Sequence, residues 1–569
     1  MVDFNKKTTF PVKLSYKILF LAFFYCLCFA ATAQNTDSTQ TNSTDKKSNL
    51  VSWYGSISSS FNVYGVSGIP QRSNPFFWNV TGNFGVRLKG GIDLPFSYTL
   101  GKQQLDFQRP FFQFGMSPKW KFLTVHLGYR NLTYSNYTLN GHTFLGAAVE
   151  INTEKFRFSA MNGIFNSDLP QQDVRDLALP RYRRQGYAVK AGYGTTQSFV
   201  DLVFFKAKDD STSIFRPTDS TGVTPAENLA LGLVGKLTIF NKLTLDTDLG
   251  VSFFTRDLSS TSFRNFEYKI VNPKASSRVS YAGKIGLSWR AKSYSLKLDY
   301  ERVMPEYQTL GAYFFANDME IISLTPFISL AKNKIIVNGT IGIMRNNLLN
   351  TRTETTWRTI GNLNINLLPQ PHYGINFNYT NNTNNQQEGN VPLSDSLRIR
   401  NTVQAISLSP FYNFIKDTSQ VHTISLSAVY QKVNDYNIFT RGFADMKALV
   451  FSLNHSTQYM QSGFSFMSGL NFNRIEVANL ENLLYGFTLG AGKSIFKKTL
   501  QLNIDASYNQ SIVDKITDGS VIQSNFTAST TIKKRHTFSL NSSLISNSSK
   551  SFEDFQEFRG GFSYVLRLK

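Results

Sequence analysis

The 569-residue sequence predicts an all-β fold, a single large transmembrane antiparallel β-barrel of about 26 strands (24–26). Three observations carry this reading: a strand-forming composition poor in charge, a period-two alternation of apolar and uncharged polar side chains, and connections that alternate between short and long. Charged residues make up 17% of the chain and aromatics 14%, with 49 Phe and 26 Tyr, where an average soluble protein carries roughly 25% charged residues. The aromatic load excludes disorder. A mean hydropathy of −0.21, with no run of 18 apolar residues after the first 33, excludes a bundle of membrane helices.

The alternation is explicit. Tyr373, Ile375, Phe377 and Tyr379 share one face of a strand and Gly374, Asn376, Asn378 and Thr380 the other. Leu363, Ile365 and Leu367 stand against Asn362, Asn364 and Asn366 in the same way, as do Leu500, Leu502, Ile504, Ala506 and Tyr508 against Gln501, Asn503, Asp505, Ser507 and Asn509. Side chains two apart lie on one face of a strand. A soluble sandwich shows the same period, but its outer face is normally charged. Here the polar set is Asn, Ser, Thr, Gln and Gly. Aromatic residues also close the apolar set near strand ends, as in Tyr294, Leu296, Leu298 and Tyr300, as expected of girdles at two membrane interfaces. In hydrocarbon every backbone N–H and C=O needs an internal partner, so a sheet crosses only as a closed barrel. About 26 strands make a ring too wide for its own side chains to fill, so a lumen or a plug is expected.

Residues 1–33 read as a cleaved signal peptide: Lys6, Lys7, Lys13 and Lys17 form its basic start, Ile18 to Phe29 its apolar core and Ala31-Thr32-Ala33 its cleavage site. Residues 34–50 read as a flexible leader and 51–569 as the barrel. Both cysteines, Cys26 and Cys28, fall in the signal, which removes disulfides and thiolate chemistry from the mature chain. Short turns are expected near Gly90, Lys119, Thr153, Thr195, Asn241, Lys292, Asn333, Gln370, Asp417, Tyr459, Lys497 and Lys534, strictly alternating with longer loops such as 164–184, 207–228, 255–277, 303–319 and 381–400. An even strand number puts both chain ends on the short-turn side.

The last strand, with Phe562, Tyr564, Leu566 and Leu568 on one face running to the C-terminus, resembles that of Gram-negative outer-membrane β-barrel proteins, where it serves as the barrel-assembly signal. This chain ends in Lys569 where that group commonly has an aromatic residue. The resemblance covers residues 51–569 and rests on pattern. It implies a bacterial outer-membrane location, periplasmic termini, outer-membrane lipids around the wall, and the barrel-assembly machinery as a partner during biogenesis. TonB-dependent receptors are similar in the barrel but carry a plug ahead of it. The 17-residue leader leaves no room for one in cis, so a periplasmic or plug partner would have to be separate. The lipopolysaccharide-insertion barrels are similar in strand number, but their periplasmic domain and cysteines are missing here.

The formal net charge is +21, or +18 without the signal. Fifteen basic and two acidic residues sit at the expected short turns, so most of the excess belongs to a rim that would meet anionic lipid headgroups. An anion-attracting lumen is the sharper alternative. A scattered rim is not a basic groove, and nucleic acid is not expected as a partner.

No catalytic, metal or cofactor motif is found. His126, His142, His372, His422, His455 and His536 include no HExxH and no ligand-pair spacing, and Gly-x-Ser-x-Gly is absent. His126 and His372 fall on polar strand faces. Asp299 and Glu301 alternate with Lys297 on one strand, a wall charge cluster and not an acid/base pair, so the chain is read as a non-enzyme. Two loops stand out. Residues 164–184 carry Asp168, Asp173, Arg175, Asp176, Arg181, Arg183 and Arg184 and form the candidate constriction loop. Residues 131–143, with Tyr134, Tyr137, Asn140 and His142, suit contacts to sugars or packing against the lumen. The expected function is a porin-like channel or transport barrel for hydrophilic solutes. The alternative is a non-transport scaffold, adhesin or secretion-machinery component displaying loops.

Overall fold

A computed structural model describes residues 50–102, 112–170, 179–215, 217, 221–262, 272–416, 419–478 and 480–568. Residues 1–49, which hold the expected signal and all of the expected leader but Leu50, lie outside them. From Val51 on, each described strand pairs antiparallel with its neighbours in sequence, and the first closes on the last. Strand β1 (Val51–Ser67) takes β27 (Phe555–Leu568) along one edge, from Gly55 opposite Leu568 to Ser67 opposite Gln556, and β2 (Phe76–Leu88) along the other. Among the described strands none has an unpaired edge, as hydrocarbon demands.

Twenty-seven strands fill 26 wall positions. After β3 (Ile92–Lys102), β4 (Gln113–Met116) and β5 (Lys119–Trp120) together pair with both β3 and β6 (Leu123–Thr133). The break falls at Ser117–Pro118, where proline has no N–H to give to the ladder. The wall continues through β7 (Asn140–Asn152), β8 (Phe156–Asn166), β9 (Arg183–Gly194), β10 (Phe199–Asp210), β11 (Glu227–Ile239), β12 (Leu243–Thr255), β13 (Ser277–Arg290), β14 (Tyr294–Val303), β15 (Met319–Leu330) and β16 (Ile335–Arg345) to β26 (His536–Ser549). Strands about 4.8 Å apart and tilted about 40° close at this number into a ring of about 160 Å circumference, about 50 Å across if round.

The short turns lie within two residues of the expected positions, the one near Asp417 falling at undescribed residues 417–418. Val51 opposes Leu88 beside the 89–91 turn, and Gly55 opposes Leu568, so both ends of the barrel chain sit at the short-turn rim. The opposite rim departs from strict alternation. Val477 opposes Leu480 and Val513 opposes Ile516, so only two residues separate each of these strand pairs in sequence. Asp514 and Lys515 both take positive φ, 49° and 65°, as a type I′ hairpin requires. The expected loop 381–400 begins only after Glu388, because β18 (Tyr373–Glu388) pairs on through Asn381 to Asn385. His372 lies in the 371–372 turn against Tyr373 and Tyr412, not on a polar strand face.

The two faces differ as the alternation requires. Outside, Leu296, Leu298, Leu249, Val251, Leu540 and Phe562 are exposed, flanked by Tyr294, Tyr300 and Trp289. An apolar surface this extensive does not persist in water on a monomer. Inside, the polar set is open to water: Asn362, Asn366, Asn503 and Asn541 are exposed, and Asn376 and Asn378 are half-buried. The inner face is wet along these strands.

The approach of β1 to β2 requires glycine at position 55. Gly55 has φ +106°, and a Cβ there would stand 2.2 Å from the Asn83 carbonyl oxygen and 2.6 Å from the Phe84 Cα. Gly55→Val should lower stability by about 2–3 kcal/mol through strain against β2. Urea unfolding in lipid vesicles reads this, and an unchanged midpoint would show that the β1–β2 register does not require glycine there.

Candidate functional site

Inner-face residues are those of opposite parity to the exposed apolar set: Asp248, Gly250 and Ser252 between Leu249 and Val251 on β12, Glu301 and Val303 on β14, Asn228 on β11. Two loops fold back onto this face. In the first, residues 134–139, Tyr134 Oη shares a hydrogen bond with Ser159 Oγ of β8. Ser135 Oγ donates to Asp248 Oδ1 at 2.5 Å and the Asn136 N–H to Asp248 Oδ2 at 2.8 Å. Tyr137 Oη donates to Glu301 Oε1 at 2.9 Å. The second, residues 304–318, lies alongside. Tyr307 Oη donates to the Tyr137 carbonyl, Thr309 Oγ1 to the Thr138 carbonyl at 2.6 Å, and the Asn140 N–H to the Gly311 carbonyl at 2.9 Å. Leu139 and Gly311 form a parallel bridge. Ser252 Oγ donates to the Gln308 carbonyl at 2.6 Å, and Asn228 Oδ1 accepts the Leu310 N–H at 3.1 Å.

The result is a strap across the lumen side of β8 to β14, with a small apolar core beneath it. Leu139, Phe144 and Phe205 pack in one cluster, Tyr137, Val303 and Tyr307 in another. Full burial of such side chains is favourable by about 1.5–3 kcal/mol each, so the six contribute at most about 18 kcal/mol. A strap held this way is a fixed partition. Gly250 is where it comes closest: a Cβ there would lie 2.5 Å from Tyr307 Oη and 2.6 Å from Tyr137 Cβ.

The inner wall is not uniformly uncharged, contrary to the alternation read from β17 (Glu354–Gln370), β18 and β24 (Leu500–Val513). On the strap side it carries Arg157–Asp201 at 2.7 Å, Arg184–Asp209 at 2.8 Å, Lys297–Asp299 at 2.8 Å and Lys284–Glu301 at 3.6 Å, with His126 Nε2 3.1 Å from Glu150. These charges stand among apolar inner residues and are paired, as partly buried charges must be. The arc from β16 to β26 is mostly amide and hydroxyl, with Asn384 Nδ2 donating to Asn401 at 2.9 Å and Asn471 Nδ2 to Asn509 at 2.6 Å.

An apolar band thus faces outward, and a wet, partly strapped lumen lies within. The chain is a transmembrane β-barrel. No family model matches it and no curated protein does. Solved structures similar to it include OccAB2 of Acinetobacter baumannii, 10% identical over 66% of this chain and 98% of that one, TM-score 0.30. OpdK of Pseudomonas aeruginosa, solved with vanillate, is 10% identical over 60% of this chain and 93% of that one, TM-score 0.31. The translocation pore of the P pilus usher PapC is 12% identical over 91% of this chain and 99% of that one, TM-score 0.35.

Within the barrel, Tyr134, Tyr137, Asn140 and His142 come together in or beside the strap. The two tyrosine rings are buried. His142 stacks on Tyr313 of the second loop, centroids 4.0 Å apart. Of the candidate constriction residues, the described ones, Asp168, Arg181, Arg183 and Arg184, do not converge on them, although Phe165 of the same stretch packs against the His142 ring, centroids 5.1 Å apart. Asp168 is exposed. Arg181 Nε donates to the Ser167 carbonyl at 3.0 Å where Leu169 and Arg181 pair at the loop's neck. Arg183 pairs with Asp210 at 2.7 Å, and Arg184 is tied to Asp209 in the wall. Asp173, Arg175 and Asp176 lie outside the described residues. Sequence reasoning missed Tyr307, Thr309, Gly311 and Asp248, and read Glu301 only as part of a wall charge cluster. The aromatic density of 304–318, with Tyr307, Tyr313, Phe314 and Phe315, was the available signal.

Proposed function

We propose that the barrel is a porin-like channel or transport barrel for hydrophilic solutes in the bacterial outer membrane, its short-turn rim and both termini periplasmic. The single observation that carries this is the wet polar inner face, narrowed from one side by a fixed strap. The short-turn rim holds Lys89, Lys121, Lys242, Lys292, Lys497 and Lys534, suited to anionic lipid headgroups. Insertion by the barrel-assembly machinery belongs to the same reading. So does an N-terminal signal over residues 1–33, which export would require.

Purified protein added to a planar lipid bilayer should give ohmic conductance steps. Folded, inserted protein that passes no current would overturn the channel. A second reading, a scaffold or secretion component with a docked partner, draws on the exposed Ile438, Phe439 and Phe443 on the loop between β20 (Gln420–Asp435) and β21 (Met446–Tyr459). A partner that co-purifies and blocks the current would favour it.

A further inference from the structure

A cavity of about 340 Å³ opens on the lumen between strap and wall, lined by Asn136, Asn140, Lys284, Glu301, Phe314 and Phe315. We propose that it is a subsite for a neutral sugar, an inference that rests on the lumen being a solute path. Three features of the cavity select that chemistry.

The first is its charge. Glu301 gives one oxygen to Tyr137 Oη at 2.9 Å and the other to Lys284 Nζ at 3.6 Å. Nearby Asp248 is taken up by Ser135 and Asn136. An ionic ligand would have to break the Lys284–Glu301 pair to gain a partner, at the cost of leaving the other charge unmatched. A hydroxyl both donates and accepts, so vicinal hydroxyls join the pair without dismantling it.

The second is Phe314, whose side chain is 93% exposed at the cavity's edge. Its neighbour Phe315 packs behind it against Tyr307 and Tyr137, centroids 5.1 Å and 6.0 Å away, so the platform carrying the bare ring is held in place. A flat apolar ring beside hydrogen-bonding groups matches a pyranose, which has an apolar C–H face and a polar rim. The third is size. The cavity lies at the low end of the roughly 300–1000 Å³ typical of small-molecule sites and suits a mono- or disaccharide.

The test uses the full-length protein in detergent, titrated with maltose by saturation-transfer NMR, with a polyethylene glycol of similar mass as the size control. Maltose should bind saturably in the millimolar range with transfer to its ring protons, and the polymer should not. Phe314→Ala, a change at an exposed position, should weaken maltose binding about tenfold, while Asn376→Ala on the far wall should leave it unchanged. Equal, non-saturable signals from maltose and polymer would overturn the subsite, as would undiminished binding by Phe314→Ala. Gluconate binding tighter than maltose would overturn its neutrality. Bilayer conductance separates the two claims: current without maltose binding sinks the subsite alone, and binding without current sinks the channel alone.

Discussion

Leucine in place of Gly250 is expected to raise single-channel conductance roughly two-fold or more while the wall stays folded. The inner face at this position has no room even for a methyl group, because Tyr307 Oη and Tyr137 Cβ stand 2.5 Å and 2.6 Å from where the Cβ would be. Something must move, and the two sides are unequally held. Gly250 pairs with Gly232 on one side and Ala282 on the other in continuous ladders, and leucine suits extended backbone. The strap hangs from loop backbone, so it gives way first. Once Tyr307 and Tyr137 are displaced, the hydrogen bond between them and the Thr309–Thr138 contact beside it are lost together. Tyr307→Phe, by contrast, removes one hydroxyl, costs about 1 kcal/mol and should leave the conductance near wild type. Polymer exclusion gives an independent reading, since the largest polyethylene glycol that enters should grow in the leucine variant. A folded, inserted Gly250→Leu barrel with wild-type conductance and exclusion would mean that the strap does not form the narrowest section.

Strand number and facing were legible because lipid enforces them residue by residue. Each turn of the alternation along Tyr373 to Thr380 has to be right, or an amide faces hydrocarbon. The short turns were found where the alternation breaks, although two of them run through Lys497-Lys498 and Lys533-Lys534 with positive φ and no glycine. Beyond the membrane the constraint lapses. The stretch from Asn381 to Glu388 has no apolar set, yet it pairs as strand, because in water a ladder can be polar on both faces. Asp514-Lys515 carries no Asn-Gly signal and still makes a two-residue hairpin. The strap was half visible: Tyr134 and Tyr137 announced themselves by composition, but the partner of Tyr137 is Tyr307, 170 residues away. Nothing local encodes that meeting. The same holds for the interior charges, whose partners lie on neighbouring strands and whose surroundings turn apolar only once the strap is in place.

Adding one positive charge to either face of a single strand separates a membrane barrel from any water-soluble one. Leu540 and Asn541 are adjacent on β26; the first points out with 47% of its surface exposed, and the second points into the lumen. Leu540 is five residues from the 533–535 turn, which at about 3.4 Å per residue and 40° of tilt puts it about 13 Å into the hydrocarbon, near its middle. Leu540→Arg should therefore lower stability in vesicles by about 2–4 kcal/mol, a shift of about thirty- to nine hundred-fold in the folding equilibrium. Asn541→Arg carries the same charge and the same side chain but projects into water between Gly561 and Thr527, so its cost should stay under about 1 kcal/mol. Both are read from urea unfolding in lipid vesicles. The sign of the difference is what matters. In a soluble protein with the apolar set buried, Leu540→Arg would also destabilise, but transfer from vesicles to detergent micelles, whose thin and deformable apolar layer lets the guanidinium reach water, would not relieve it. In the barrel the penalty should shrink in micelles while that of Asn541→Arg stays the same. Equal costs for the two variants in vesicles would put lipid on neither face of β26, and the channel would fall with it.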